Sequence, residues 1–195
     1  MLLHQDFAAL KLELSVRAKN GLDFIVAASF VWLLIAGIWL LPNSPAKNSF
    51  LTLFTGGLML PLAWLFSRIL KTTWTIATNP LQPLGLWLNF AQLFYFPILI
   101  FIYAKQPQHF IMIYAIITGA HFFPYAWFYN VRAYAVMAGV IAVGSMLIGW
   151  RVPADRLYLI PVFVVCSLLV LSGWLLAAYR TNHGLYSSSA TAAAA

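Results

Sequence analysis

Six long runs of apolar residues constrain what this chain can fold into more than any other feature of its sequence. They occupy residues 22–41, 50–70, 84–104, 110–129, 133–149 and 157–178. Most of them reach the roughly 20 residues that an α-helix needs to cross a bilayer, and the fifth run is the shortest. The sequence therefore predicts an all-α, polytopic integral membrane bundle with about six transmembrane helices.

The composition excludes a water-soluble fold. Only 8% of the residues are charged and the mean hydropathy is +0.87, whereas soluble domains carry about 25% charged residues. The net charge of +7 comes from basic residues spread singly between the apolar runs. That spacing is typical of topology control in a membrane and not of nucleic-acid binding. We therefore expect membrane lipids as partners and no nucleic acid.

The residues before the first run predict an amphipathic helix over residues 1–20. Charged side chains oppose apolar ones that recur at helical spacing, namely Leu3, Phe7, Leu10 and Leu14. The helix either lies on the membrane surface or packs on the loops, and Asn20 with Gly21 gives it a stop signal. We assign residues 1–186 to a single membrane domain and the Ser/Ala-rich residues 187–195 to an expression tag.

An even number of spans places both termini on one side of the membrane. That side carries Lys11, Arg17, Lys19, Arg68, Lys71, Arg132 and Arg180. The other side carries Lys47, Lys105, Arg151 and Arg156. Because Lys and Arg are enriched in cytoplasmic loops, this distribution predicts cytoplasmic termini.

Polar side chains inside the membrane are concentrated in the third and fourth predicted helices. They are Asn89, Gln92 and Tyr95 in the third helix and Tyr114, Thr118, His121 and Tyr125 in the fourth. Helical spacing places each set on one side of its helix. Because unpaired polar groups are costly in hydrocarbon, both faces should point into the bundle. They predict a polar cavity between helices 3 and 4, although Asn89 and Gln92 also suit simple bonds between helices.

Three prolines lie well inside predicted helices, at Pro61, Pro97 and Pro124. Each removes the hydrogen bond to a carbonyl four residues earlier, at Gly57, Leu93 and Ala120 in turn. We expect kinks there that open a cavity with free carbonyl acceptors.

Motifs for catalysis or metal binding are absent from the sequence. No carboxylate lies in the interior of a run, which disfavours proton relays through Asp or Glu. Cys166 alone forms neither a disulfide nor a cysteine metal site within one chain. Asp23 stands beside Arg17 and Lys19 at the start of a run, which favours a charge partner over a proton site. We predict no metal, no cofactor and no catalytic residue.

Small and aromatic residues have simpler interpretations. Ala135 with Gly139, and Ala138 with Ala142, form pairs in the fifth predicted helix that favour tight packing or a homo-oligomer seam. Aromatic residues near the ends of runs are expected to anchor at the membrane surface. These are Trp39, Trp74, Trp127, Tyr129 and Trp150.

Three stretches of the sequence, residues 13–21, 79–97 and 114–129, resemble a family of small bacterial membrane proteins. The resemblance covers nearly the whole chain except the tail. The family is classed only as a domain of unknown function. The resemblance therefore implies a bacterial inner-membrane setting and brings no activity, substrate or site residue.

Three functions fit these features. One is binding or transport of a small amphipathic or planar ligand in an aromatic-lined cavity between helices 3 and 4. Another is a non-catalytic assembly or regulatory subunit with a partner at helix 5. The third is an intramembrane lipid-modifying enzyme, disfavoured by the missing motifs, in which His121 acts as acid or base with Tyr125 or Tyr114 as donor.

Overall fold

The computed structural model describes residues 4–194, and the side chains of residues 7–188, as an all-helical fold. The α-helices in that range are α1 (His4–Arg17), α2 (Leu22–Leu40), α3 (Pro45–Gly56), α4 (Met59–Leu70), α5 (Gln82–Ala91), α6 (Phe96–Lys105), α7 (Phe110–Phe128), α8 (Ala133–Arg151) and α9 (Leu159–Ala194). The predicted all-α membrane bundle is confirmed. Residues 1–3 of the predicted amphipathic helix, which include Leu3, lie outside the described residues.

Five helical segments are long and apolar enough to cross a membrane, and a bent pair brings the number to six. The bent pair is α3 with α4, which meet at an angle of 43°. Segment Gln82–Lys105 is one span built from α5, a short 3-10 helix at Gln92–Tyr95 and α6. The spans follow the six apolar runs of the sequence closely.

Contacts at both ends of the bent pair show that it crosses the whole bundle. At one end, the Lys19 Nζ donates to the carbonyl of Leu70 over 2.7 Å. At the other end, the Trp39 Nε1 donates to the Thr52 Oγ1 over 3.0 Å. The bent pair therefore runs beside α2 over most of its length, as expected for a sixth span. We call the end at Lys19 the amino-terminal face and the end at Trp39 the opposite face.

The first helix, α1, and the carboxyl-terminal part of α9 meet at the amino-terminal face. The Asn182 side-chain amide donates to the Ser15 Oγ over 2.7 Å, which joins α9 to α1. This contact agrees with an even number of crossings. Helix α9 also continues as a helix through the Ser/Ala-rich residues as far as Ala194, and the assignment of those residues to a tag stays a prediction.

The three prolines disturb their helices in different ways. The chain bends at Gly57 and Leu58, just before Pro61. Before Pro97, the 3-10 helix lets the N–H of Phe96 reach the carbonyl of Leu93. The expected free acceptor at Leu93 is therefore wrong, because a shorter-range bond satisfies it. Helix α7 continues without a break through Pro124.

Helix α1 packs on the loop that follows α4. The Asn79 amide donates to the carbonyl of Leu10 over 2.9 Å and to the Glu13 carboxylate over 2.8 Å. The N–H of Thr73 donates to the carbonyl of Arg17 over 3.0 Å. Of the two interpretations of this helix, packing on the loops is the one that these contacts support.

The connection between α1 and α2 is a left-handed turn built around Asn20. Lys19, Asn20 and Gly21 have φ angles of 47°, 56° and 70°. The Asn20 side chain is fully buried, donates to the carbonyl of Leu175 over 3.1 Å and accepts from Ser15. Its main-chain carbonyl accepts from the Tyr134 hydroxyl over 2.6 Å. One turn therefore ties together α1, α2, α8 and α9.

Helices α7 and α8 make a close contact through small residues. A Cβ added at Gly119 would lie 2.8 Å from the backbone nitrogen of Ala142. Ala138 is buried on the same side of α8, whereas Gly139 faces outward with no atom near its Cβ position. Tight packing therefore explains Ala138 and Ala142, and a homo-oligomer seam at Gly139 stays a prediction.

Two of the expected interface anchors turn inward. Trp39 is buried and hydrogen-bonded to Thr52, and Tyr129 is in ring contact with Tyr134. The prediction is wrong for these two residues because both lie beside polar partners inside the bundle. Trp127 and Trp150 do lie outward, with half or more of their surface exposed.

The turn at Asn20 generates a stability prediction with a matched control. Asn20→Ala removes two buried side-chain hydrogen bonds, worth about 1 kcal/mol each. Asn130→Ala is the control, because Asn130 is also left-handed, at φ 55°, but exposed. We expect Asn20→Ala to lower the thermal midpoint in mild detergent by about 4 to 8 °C more than the control. Equal midpoints for the two variants would contradict the structural role of Asn20.

Candidate functional site

The polar faces of the third and fourth spans meet at three side chains, Asn89, His121 and Tyr125. The Tyr125 hydroxyl donates to the Asn89 Oδ1 over 3.0 Å. The same hydroxyl lies 3.5 Å from the His121 Nε2. We call these three residues the His121 cluster. Its existence shows that the two polar faces approach each other at this level of the bundle.

The His121 cluster forms because helical periodicity aligns its side chains and because Gly85 lets α5 approach α7. His121 and Tyr125 are one turn apart on α7, and Gly85 and Asn89 are one turn apart on α5. A Cβ at Gly85 would lie 2.9 Å from the ring of Phe128. The missing side chain therefore lets α5 approach the end of α7, which brings Asn89 within reach of Tyr125. The Asn89 amide group donates to the carbonyl of Gly85 over 3.1 Å.

Two other candidates on α7 turn toward other partners. Thr118 is buried and donates to the carbonyl of Tyr114 in its own helix over 2.9 Å. The Tyr114 ring stacks on Trp32 of α2, with ring centroids 5.2 Å apart. The Tyr114 hydroxyl lies 3.0 Å from the Cβ position of Gly56. These two residues thus lie outside the His121 cluster.

Gln92 and Tyr95 also lie outside the His121 cluster. Tyr95 is 40% exposed and Gln92 is half-buried. After Gln92 the 3-10 helix Gln92–Tyr95 advances by about 120° per residue because it has three residues per turn, which carries Tyr95 off the face of Asn89. The polar face of α5 is therefore not continued past Ala91.

Span Gln82–Lys105 packs loosely on the rest of the bundle. Only 6% of the most apolar 18-residue stretch of this span is buried. Leu99 is the one buried side chain of the span among the described residues. Large aromatic side chains on this span face outward, including Trp87 and Phe94. The His121 cluster thus lies where α7 meets a span that is mostly exposed.

Three tyrosines connect the His121 cluster, to which Tyr125 belongs, with the turn at Asn20. The ring centroids of Tyr125, Tyr129 and Tyr134 are 5.7 to 6.1 Å apart. Burial raises the pKa of Tyr129, and the nearby Tyr125 and Asp23 raise it further. Tyr129 therefore keeps its proton. Sequence reasoning missed this group, because residues on either side of a turn show no helical periodicity.

Asp23 is held by the loop after α4 and not by basic residues. Its carboxylate accepts from the Thr72 Oγ1 over 2.8 Å and from the Trp74 Nε1 over 2.6 Å. Arg17 pairs instead with Glu13, and Lys19 with the Leu70 carbonyl. The expectation that Asp23 partners Arg17 or Lys19 is therefore wrong.

Two surface depressions lie at the opposite face of the bundle. One, of about 550 Å³, is bordered by Leu147, Arg151 and Phe163. The other, of about 400 Å³, includes Trp39, Asn48 and Asp155. Neither includes a residue of the His121 cluster. Within the described part of the chain, no three His, Cys, Asp or Glu side chains could together hold a metal ion.

The His121 cluster brings together an exposed amide, a half-buried imidazole and a buried phenol at one point of an apolar bundle. Such groups donate and accept hydrogen bonds in fixed directions. Aromatic rings of Phe122 and Phe128 lie beside them. This chemistry suits recognition of one polar group on a mostly apolar molecule.

Comparison with known proteins identifies the family of this chain but no individual relative. Residues 7–178 match DUF7010, a family of unknown function. No curated protein and no solved structure matches this chain. The match confirms the resemblance to a family of unknown function, while the bacterial setting stays a prediction.

The contact between the two spans can be measured by a double-mutant cycle. Asn89→Ala and Tyr125→Phe should show a coupling free energy of about 0.6 to 1.7 kcal/mol, the range for bonds between membrane helices. Gln92→Ala replaces Asn89→Ala in the control cycle, because Gln92 lies one turn farther along. The control coupling should be close to zero. Unfolding free energies in bicelles provide the measurement, and equal couplings in both cycles would contradict the contact.

Proposed function

We propose that this chain, which belongs to the DUF7010 family, binds a small amphipathic or planar ligand at the His121 cluster. The ligand enters from the lipid between span Gln82–Lys105 and α7. The observation that carries the proposal is the polar contact from Tyr125 to Asn89, which joins α7 to a span that is loosely packed.

The geometry of His121 supports a binding role. Its Nε2 lies 3.5 Å from the Tyr125 hydroxyl, at the long limit for a hydrogen bond. The imidazole also meets the Tyr125 ring edge-on, with centroids 5.4 Å apart. A ligand hydroxyl, carbonyl or amine at this position would make a shorter bond to the imidazole. The aromatic rings around the His121 cluster would cover its apolar part.

The loose packing of span Gln82–Lys105 supports lateral entry. The 3-10 helix at Gln92–Tyr95 interrupts its regular bonding next to Pro97. An interrupted helix with few neighbours bends at lower cost than a continuous buried one. Movement of α6 or α5 away from α7 would then expose more of His121 and Tyr125 to the membrane. Transport would use the same site, with release at one face of the bundle.

The ligand proposal is tested by substituting His121. We expect wild-type protein, purified in mild detergent, to retain a small molecule that mass spectrometry detects. His121→Ala should retain at least about tenfold less, equivalent to about 1.4 kcal/mol of binding free energy. His109→Ala is the matched control, because His109 is exposed in a loop at the other end of α7.

Thermal unfolding of each variant shows whether it is folded. Equal retention by wild type and a folded His121→Ala would contradict the site assignment. If His121→Ala retains nothing but also melts well below the control, Tyr125→Phe replaces it. That variant removes one hydroxyl and keeps the ring packing, and it should also lower retention.

A non-catalytic assembly subunit is the second candidate. The outward face of α8 supports it, because Gly139 has open space above it between exposed Val136 and Val140. A second copy of the chain could approach closely at this small residue. A stoichiometric partner or a homo-oligomer in the same purification, with no retained small molecule, would favour this function.

We further propose that the chain lies in a bacterial inner membrane with both termini cytoplasmic. The support is the larger number of basic residues at the amino-terminal face. Test variants carry Cys166→Ser, which removes the single native thiol, plus one new cysteine. In right-side-out vesicles, an impermeant maleimide should label Lys105→Cys and leave His183→Cys unlabelled. The reverse pattern would overturn this orientation.

A further inference from the structure

The depression of about 550 Å³ at the opposite face is an open groove between the end of α8 and the beginning of α9. Its lining is apolar except for Arg151. Leu147 and Val162 border it and are 46% and 39% exposed. A groove with this lining, on the outer surface of a membrane bundle, faces lipid and not water.

A glycine gives the groove its depth. A Cβ at Gly144 would overlap the ring of Phe163. Because Gly144 has no Cβ, the Phe163 ring packs directly against α8 and forms the floor of the groove. The groove is therefore built into the packing of α8 on α9.

The upper end of the groove lies at the level of the membrane surface. Arg151 is the last residue of α8, and its neighbour Trp150 is 74% exposed. An outward tryptophan at the end of a span is typical of the membrane–water interface. Arg151 therefore stands where lipid phosphates lie, and the apolar part of the groove descends from it toward the acyl chains.

Arg151 has no carboxylate partner within the described part of the chain. The ion pairs there join Arg17 to Glu13 and Arg156 to Asp155. A guanidinium group binds a phosphate through two parallel hydrogen bonds. A cation without an acidic partner, above an apolar groove, is complementary to an anionic headgroup above a hydrocarbon chain.

We propose that this groove is a specific site for one anionic phospholipid. The phosphate accepts hydrogen bonds from Arg151, and the upper part of one acyl chain lies against Leu147, Val162 and Phe163. From Leu147 to Arg151 the helix rises about 6 Å, so the groove holds the part of the chain nearest the glycerol. This site is separate from the His121 cluster and does not depend on the function proposed for it.

Native mass spectrometry with two lipids of identical acyl chains tests the site. Wild-type protein in mild detergent should retain one phosphatidylglycerol at about fivefold lower concentration than phosphatidylcholine, equivalent to about 1 kcal/mol for one arginine. Arg151→Gln should reduce this preference to about one. The control is Arg156→Gln, because Arg156 is exposed in the connection that follows Arg151 and is already paired with Asp155, and it should keep the wild-type preference.

A second variant tests the apolar part of the site. Leu147→Trp fills the groove from an exposed position, so it should abolish retention of both lipids without unfolding the protein. Val170→Trp is its control, because Val170 is also exposed, on α9 and away from the groove. An unchanged preference in Arg151→Gln, or unchanged retention in Leu147→Trp, would overturn the proposal.

Discussion

The buried turn at Asn20 is the constraint on which the amino-terminal face of the bundle depends. A buried polar side chain must have its hydrogen bonds satisfied, and Asn20 finds its partners on other helices. Because its main chain is left-handed, the turn also sets the direction in which α2 leaves α1. Tyr134 and Leu175 fix α8 and α9 against the same residue. The starts of α2 and α8 and the carboxyl-terminal part of α9 are therefore positioned by one side chain and its carbonyl.

The bundle combines a tightly packed part with a loosely attached one. Helices α2, α7, α8 and α9 share the buried core, and glycines at positions 119, 144 and 149 let them approach closely. Span Gln82–Lys105 meets that core where Gly85 lies against Phe128, where Asn89 meets Tyr125, and through the buried side chain of Leu99. A ligand site at such a boundary can have rigid walls on one side and a movable wall on the other. The His121 cluster lies at this boundary.

Most of the fold could be predicted from the sequence because span length in a membrane is set by bilayer thickness. The ends of α2 and α7 were predicted to within a residue. The sequence placed Asn89 on a polar face of its helix but left open whether that face would meet the polar face of α7. Helical spacing could not show that a 3-10 segment would turn Tyr95 outward, because the face of a helix is only predictable while its period holds. Asp23 and the three tyrosines depend on contacts between residues far apart in the chain. Local patterns carry no information about such contacts.

The hydrogen bonds around Asn20 also determine the order in which parts of the protein can fold. Asn20 binds the carbonyl of Leu175, 155 residues later, and Ser15 binds Asn182, 167 residues later. During synthesis, the first helices enter the membrane long before these partners exist. The side-chain N–H group of Asn20 therefore lacks its acceptor until the ribosome has made the final helix. Insertion of α9 is the step that completes the first turn of the protein.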